Sequence, residues 1–360
     1  MTEGPVIEPT IELGPHRRRL HRKAAGVAGV FVGSYLVLMV AQPPLPIAAV
    51  LVAVLVLAAY AWITCIMHDA NHGAFFADDE RRVLGYSLDL LGASSRVWQV
   101  KHNRYHHLHT NSAGNDPDLR QDPFFRLSPD HRWYPWHAAQ HLYAPVLYGF
   151  LLFLSFFSDF VNWATGRTRG LPLGPRDNRR LALMVVFKVL FVQWAVVVPV
   201  SVFGPWALPV LALAMWLVGL MLAVTVQLAH VNDLVVQHDG SPGPDGADGS
   251  LLPFIRYQLE SSADVRADGN WLERAADWLA GGLFQQSVHH LMPWVPHTAY
   301  RQLLDEVDEL AAAAGTERLE HPSPLAAVRS HFRWLRLMAR RDPAVTGPSS
   351  GGPACGRATI

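Results

Sequence analysis

Eighteen histidines stand in this chain of 360 residues, and half of them fall in four places where their spacing could hold metal. The first is His68-Asp69-Ala70-Asn71-His72, an i,i+4 pair that projects from one helix face with its side chains about one turn apart. The second is Lys101-His102-Asn103-Arg104-Tyr105-His106-His107-Leu108-His109-Thr110-Asn111. There His102 and His106 share a face, and His107 lies one step around the helix, where it can address a different ion. Imidazoles so crowded would repel one another if protonated, and they have no packing reason to gather. The third place, Gln286-Ser287-Val288-His289-His290, repeats the i,i+3,i+4 pattern with an amide in the lead position. The fourth is His230 alone, just past an apolar run.

Together these give His68, His72, His102, His106, His107, His230, His289 and His290 as candidate imidazole ligands, with Gln286 as an amide neighbour acting directly or through water. The two cysteines, Cys65 and Cys355, cannot build a Cys-rich zinc or iron–sulfur site, so the chemistry must use nitrogen and oxygen ligands. Eight imidazoles exceed what one tetrahedral zinc needs, and they suit two metals. A nitrogen-rich set with positions left for a small molecule points to iron, since magnesium and calcium prefer oxygen. Asp69, Asp116 and Asp118 are candidates to orient imidazoles from behind. Taken singly, the groups have plainer readings: His68 and His72 as polar residues at a membrane exit, and His230 as a helix-end residue facing the helix dipole.

Composition says what must hold these residues. Half the chain is hydrophobic and only 17% is charged, against about 25% charged in ordinary soluble domains. Such a chain lacks the polar material to cover itself in water and reads as a membrane protein. Thirty basic residues balance thirty acidic ones, which removes the sequence-wide case for nucleic acid. Four apolar runs, at 24–41, 47–67, 181–203 and 207–228, reach the roughly 20 residues that a bilayer core of about 30 Å requires. Gln42-Pro43-Pro44-Leu45-Pro46 joins the first two, and Gly204-Pro205 joins the last two, so each pair reads as a helical hairpin. Arg17, Arg18, Arg19, Arg22 and Lys23 precede the first run, Arg167, Arg169, Arg176, Arg179 and Arg180 precede the third, and neither turn carries a basic residue. By the positive-inside rule both hairpins open toward the cytoplasm.

The predicted fold is an all-α integral membrane protein, with four transmembrane helices as two hairpins and a cytoplasmic, histidine-rich di-metal cap. A cytoplasmic N-terminal segment covers 1–23, one domain covers 24–340, and a disordered tail covers 341–360. The stretches at 83–98 and 143–157 are expected as interfacial or half-embedded helices, with a fifth span as the alternative. Lys188 lies inside the third run, where a charge is a functional candidate; the favoured expectation is that its stem carries the ammonium back to the interface.

At these residues the sequence resembles the membrane-bound fatty acid desaturase superfamily, the integral-membrane di-iron enzymes with three histidine boxes. The first box stands as HDANH, the second as KHNRYHHLHTN followed by GNDPD, and the third as GGLFQQSVHHLMPWVPHTAY. His230 in QLAHVND matches an extra histidine after the family's last span. The likeness runs from about Ala48 to Tyr300. It implies that the eight histidines named above bind two iron ions, with O₂ as co-substrate and a fatty acyl group, linked to lipid, CoA or a carrier protein, as substrate. Gln286 falls where many members have histidine. The family's fused cytochrome b5 signature, His-Pro-Gly-Gly, is absent, which implies a separate electron donor such as ferredoxin.

The same scaffold also serves lipid or carotenoid hydroxylases and ketolases, and a histidine-lined membrane protein could bind or carry metal without catalysis. The glutamine-type third box and the form of the second lean toward acyl desaturation. Trp62, Phe75, Trp98, Tyr105, Phe284 and Trp294 sit beside the boxes, where packing is their ordinary role. His131, His137 and His141 read as interfacial or supporting residues, His16, His21, His321 and His331 as surface residues, and His109 and His297 as possible partners of the ligands.

Overall fold

The computed structural model describes residues 7–76, 82–238 and 250–342; the expected disordered tail lies outside them from residue 343 onward. Among the described residues, three helical runs are long and apolar enough to cross a membrane: Leu13–Ala41, Leu45–Asn71 and Asn178–His230. The first begins ahead of the apolar run because Arg17, Arg18, Arg19, Arg22 and Lys23 are good helix formers and continue the helix beyond it. Gln42, in the left-handed region at φ 44°, ends it, and Pro44 precedes the second helix. The third run has 53 residues, about 80 Å if straight, far more than one bilayer core. It is divided at Gly204, whose φ of 71° opens a short 3₁₀ turn, Gly204–Trp206. Residues 193–203 before that break pack against Ala207–His230 after it.

Leu45–Asn71 is the central helix. Half of its apolar window is buried, against 11% for the first run and 22% for the third, and it packs between Leu13–Leu36 and Ala207–His230. The outer helices leave Val40, Val186, Val189, Trp206 and Leu213 exposed. An apolar surface of that extent suits lipid as its solvent.

The stretch at 143–157 forms no single half-embedded helix. Pro135–Tyr148 and Leu151–Thr165 meet at 85°, and only if counted together do they make a fourth candidate span. The corner rests on two glycines. A Cβ on Gly149 would stand 2.1 Å from Trp216 Nε1, and one on Gly219 would stand 2.5 Å from the Gly149 carbonyl oxygen. The stretch at 83–98 becomes a 3₁₀ helix, Arg82–Leu91, followed by Ser95–Gln99, whose start is capped by Ser94 Oγ accepting from the Val97 amide. Two strand pairs amend the all-helical expectation. Arg167–Thr168 pairs with Leu171–Pro172 in a hairpin, and Ala263–Val265 pairs in parallel with Leu319–His321. Segments this short carry no periodicity by which a sequence reading could find them.

Lys188 departs from its expectation. Its ammonium does not reach an interface; it lies buried, 2.7 Å from Asp159 Oδ2 and 2.7 Å from the Gly92 carbonyl, over the ring of Phe156. The Ser94 amide donates to the same Asp159 oxygen at 2.7 Å. The nearby carboxylate makes burial of the charge tolerable, so the stem has no need to stretch outward.

Breaking this pair should be expensive and replacing both members cheap. Lys188→Met is expected to destabilise the protein by about 3–5 kcal/mol, and Lys188→Met with Asp159→Leu to recover most of the loss. Thermal unfolding in detergent checks this; a double variant no more stable than the single one refutes the pairing.

Candidate metal centre

The elements just described deliver the histidines to one buried place. His68 and His72 end the second helix, His230 ends Ala207–His230, and His289 and His290 lie on the short helix Gln286–Leu291. The second box is not an ordinary α-helix. Val100–His106 is a π-helical turn in which the His107 amide donates to the His102 carbonyl at 3.0 Å, five residues back. A similar turn, Trp62–Met67, leads into His68, whose amide bonds to Ile63. Wider winding turns about 85° per residue, against 100° in an α-helix. His106 and His107 then flank His102 on one face, whereas α-winding would swing His107 about 140° away. The sequence expectation that His107 faces elsewhere is thereby corrected: its Nε2 lies 3.1 Å from His102 Nε2.

Two groups of ligand nitrogens result. His68, His72, His102 and His289 place theirs within 4.8 Å of one another, and so do His106, His230 and His290. His102 and His106 also share such a set with Asp118, on the side toward Lys101. His107 lies between the groups, its ring 4.6 Å from both His289 and His290. All eight predicted histidines are thus brought together.

The donor set fits metal. Both ring nitrogens of His68 and His72, Nε2 of His106 and His289, and Nδ1 of His107 are buried without a hydrogen-bond partner in the protein, and the Gln286 side chain lies beside His230. An isolated buried polar atom costs about 1–3 kcal/mol, so this concentration calls for a ligand. The His102–His107 and His230–His290 pairs bring Nε2 atoms to 3.1 and 3.2 Å. Two imidazoles held at about 2.0–2.1 Å from one ion would have their nitrogens at about that separation. Burial, and after it the neighbouring imidazoles, holds His72, His102, His107, His289 and His290 well below the ordinary imidazole pKa. They are neutral, as ligands must be.

Supporting groups fix which nitrogen faces inward. His106 Nδ1 lies 3.1 Å from Asp116 Oδ2, and although burial alone would lower its pKa, that carboxylate raises it. The contact leaves Nε2 free for metal. His289 Nδ1 is 3.3 Å from the Tyr300 hydroxyl, and His230 Nδ1 donates to the Ser261 carbonyl at 3.3 Å. Asp69 stands behind His68 at 3.6 Å and receives His297 Nδ1 at 2.8 Å, so His297 is a supporting partner. Asp118 is divided between Lys101 at 3.4 Å and His106 at 3.8 Å.

The third box needs its glycine pair. Gly281 and Gly282 have φ of 64° and 78°, and a Cβ on Gly281 would stand 2.6 Å from the Thr64 carbonyl oxygen on the central helix. Asp264, from the parallel strand pair, accepts the Ser287 amide at 2.8 Å and its hydroxyl at 2.7 Å, and Arg318 joins it at 3.0 Å. Sequence reasoning missed Asp264, Ser261 and the role of Tyr300; only Tyr300 stood within a quoted motif. It also misplaced His16, His321 and His331, which are buried. His16 Nδ1 meets the Thr298 carbonyl, and His331 bridges Tyr148 Oη and the Val231 carbonyl. His137 is fully buried and joins Pro123 to Tyr134, outside both groups.

Comparison with known proteins gives a consistent picture. The family model described as fatty acid desaturase matches residues 45–321, which contain all eight histidines. The chain is 28% identical to the sn-1 linoleoyl-lipid 6-desaturase of Synechocystis sp., over 80% of this chain and 79% of that one. It is 32% identical to the acyl-lipid (7-3)-desaturase of Diacronema lutheri, over 80% of this chain and 63% of the other. With the acyl-lipid (8-3)-desaturase of Physcomitrium patens it shares 31% identity, over 78% and 58%. It therefore spans about three fifths of the last two.

Asp116→Asn keeps the shape behind His106 and removes the charge. Metal affinity is expected to fall about 10–100-fold with the fold unchanged. Titration with ferrous ion, read by elemental analysis after desalting, checks this; wild-type retention would remove Asp116 from the supporting set.

Proposed function

Because the chain belongs to the fatty acid desaturase family, we propose that it is an O₂-dependent acyl-lipid desaturase whose two histidine groups hold two iron ions. The observation that carries the reading is the pair of buried imidazole groups with their bare nitrogens turned toward one another. Iron held there would supply, with O₂ and electrons from outside, an oxidant strong enough to remove hydrogen from an unactivated methylene. His68, His72, His102 and His289 are proposed for one ion, and His106, His230 and His290 for the other. His107 stands between them, with Gln286 as a direct or water-mediated neighbour.

The chain's own part is to position and to exclude water. An acyl chain has no polar handle near its middle, so the site of attack must be chosen by the shape of an apolar passage. Beneath the histidines lies an apolar cluster that includes Ile63, Met67, Leu283 and Phe284, with Trp98 packed against it. The Trp98 ring stacks on His102 with centroids 4.4 Å apart, where the ligands meet the hydrophobic interior. A methylene seated against this wall would lie beside the first group, in a place from which water is excluded. Acyl groups attached to membrane lipid suit a passage reached from the bilayer, and the relatives named for acyl-lipid substrates support the same choice.

The reading includes an arrangement in the membrane. The apolar helices form two hairpins that open to the cytoplasm, with Arg17–Lys23 and Arg167–Arg180 on that side and the metal centre among them. Electrons arrive from a separate carrier such as ferredoxin on the same face.

Expression in a host that lacks this activity is expected to yield a new unsaturated fatty acid in total lipid, and purified protein to carry close to two irons per chain. His106→Ala should abolish the product while membrane insertion persists. Mass spectrometry of fatty acid esters decides the reaction: a hydroxylated product in place of a desaturated one would move the protein to oxygen insertion. One zinc and no iron would end the di-iron reading.

A further inference from the structure

One buried side chain outside every histidine motif touches the segments that carry the second and third boxes. Gln258 lies in the helix Leu252–Glu260 and is fully buried. Its Oε1 accepts from His290 Nδ1 at 2.9 Å, its Nε2 donates to the His107 carbonyl at 2.6 Å, and the Thr110 hydroxyl lies 3.1 Å from Oε1. The His107 carbonyl can only accept, so the amide nitrogen must face it and the amide oxygen must face His290. That oxygen in turn requires the His290 proton on Nδ1 and leaves Nε2 bare, 3.2 Å from His230 Nε2. None of His68, His72 or His289 touches Gln258 in this way; His289 has Tyr300 behind it instead.

We infer that Gln258 is a positioning residue: it sets the tautomer and direction of His290, and so completes the metal position made by His106, His230 and His290. The inference rests on the two-metal reading above and deepens it. It also makes that position asymmetric. Asp116 gives His106 a charged acceptor, and Gln258 gives His290 a neutral one, so the two imidazoles differ in basicity although they belong to one group. An amide also does what a carboxylate cannot, because its N–H₂ ties the second-box backbone to the third-box ring.

The test is metal loading of detergent-purified full-length protein with ferrous or cobaltous ion, read as stoichiometry and, for cobalt, as the visible ligand-field spectrum. Wild type is expected to take two ions per chain. Gln258→Met should take about one, with the spectrum of the remaining ion unchanged, because only the His106, His230 and His290 group loses its support. Gln258→Glu keeps the acceptor oxygen and should take two ions, one with a shifted spectrum. Arg256→Ala removes the exposed 2.8 Å pair with Glu260 on the same helix and should leave both ions as in wild type. Two ions bound to Gln258→Met at wild-type affinity would overturn the inference. If that variant does not fold, two ions with wild-type spectra in Gln258→Glu would overturn it instead. A wild-type chain that takes fewer than two ions fails the two-metal reading first, and the inference with it.

Discussion

Eight imidazoles cannot share one buried volume as cations, and as neutral rings His68, His72, His106, His107 and His289 each offer a nitrogen that protein alone does not satisfy. The surrounding structure follows from that constraint. Burial and mutual repulsion hold His72, His102, His107, His289 and His290 in the uncharged form, and acceptors behind the rings decide which nitrogen is left bare. Asp116, Tyr300 and the Ser261 carbonyl each take one Nδ1 position. Asp116 and Tyr300 stand about ten residues from the histidines they support, at the ends of the second and third motifs, whereas His230 takes its acceptor from a separate stretch of chain.

The backbone pays for this gathering in local irregularity. The π-helical turns at Trp62–Met67 and Val100–His106 add a residue per turn just where ligands must converge, and the Gly281–Gly282 pair brings the third box against the central helix at a distance no side chain would allow. Such winding is not confined to the site, since Val37–Ala41 and Gln193–Val197 in the outer runs are π-helical turns as well; the rest of those runs is regular helix, as a lipid solvent demands of the backbone. The buried Lys188–Asp159 pair lies apart from the histidines, between Leu151–Thr165 and Asn178–Val192, and also takes in Gly92 and Ser94. It ties the segment just ahead of the second box to two of the outer helices.

Much of this was legible in the sequence. Apolar runs of bilayer length are visible by composition, and the histidine groups by spacing, because each is a local pattern within one element. What could not be read is what spacing does not encode. His107 was assigned to another face because α-winding was assumed, and nothing in Lys101–His107 announces the wider turn. His16 and His331 looked like surface residues because their partners, Thr298 for the first and Val231 and Tyr148 for the second, lie far away in sequence, and His321 because its burial depends on a strand pair with Ala263–Val265. Asp264 is a single acid in an unremarked stretch, and its use as the support of Ser287 depends on a three-residue strand pair with Leu319–His321. Lys188 was misjudged for the same reason: its counter-ion belongs to another helix.

The stretch from Tyr257 to Asp264 shows why the ligands and their supports form one cooperative unit. Within eight residues it bonds to Thr110 through Tyr257, to His107 and His290 through Gln258, to His230 and Asn111 through the Ser261 carbonyl, and to Ser287 through Asp264. Displacing it would disturb His230 and both of the later boxes together, while the first box, held by Asp69 and His297, would keep its local partners. A metal centre assembled from four distant pieces of chain is thus braced largely by a fifth piece that bears no ligand. The identity of that piece follows from hydrogen-bond demand, since the Nδ1 atoms of His230 and His290 find their acceptors on it.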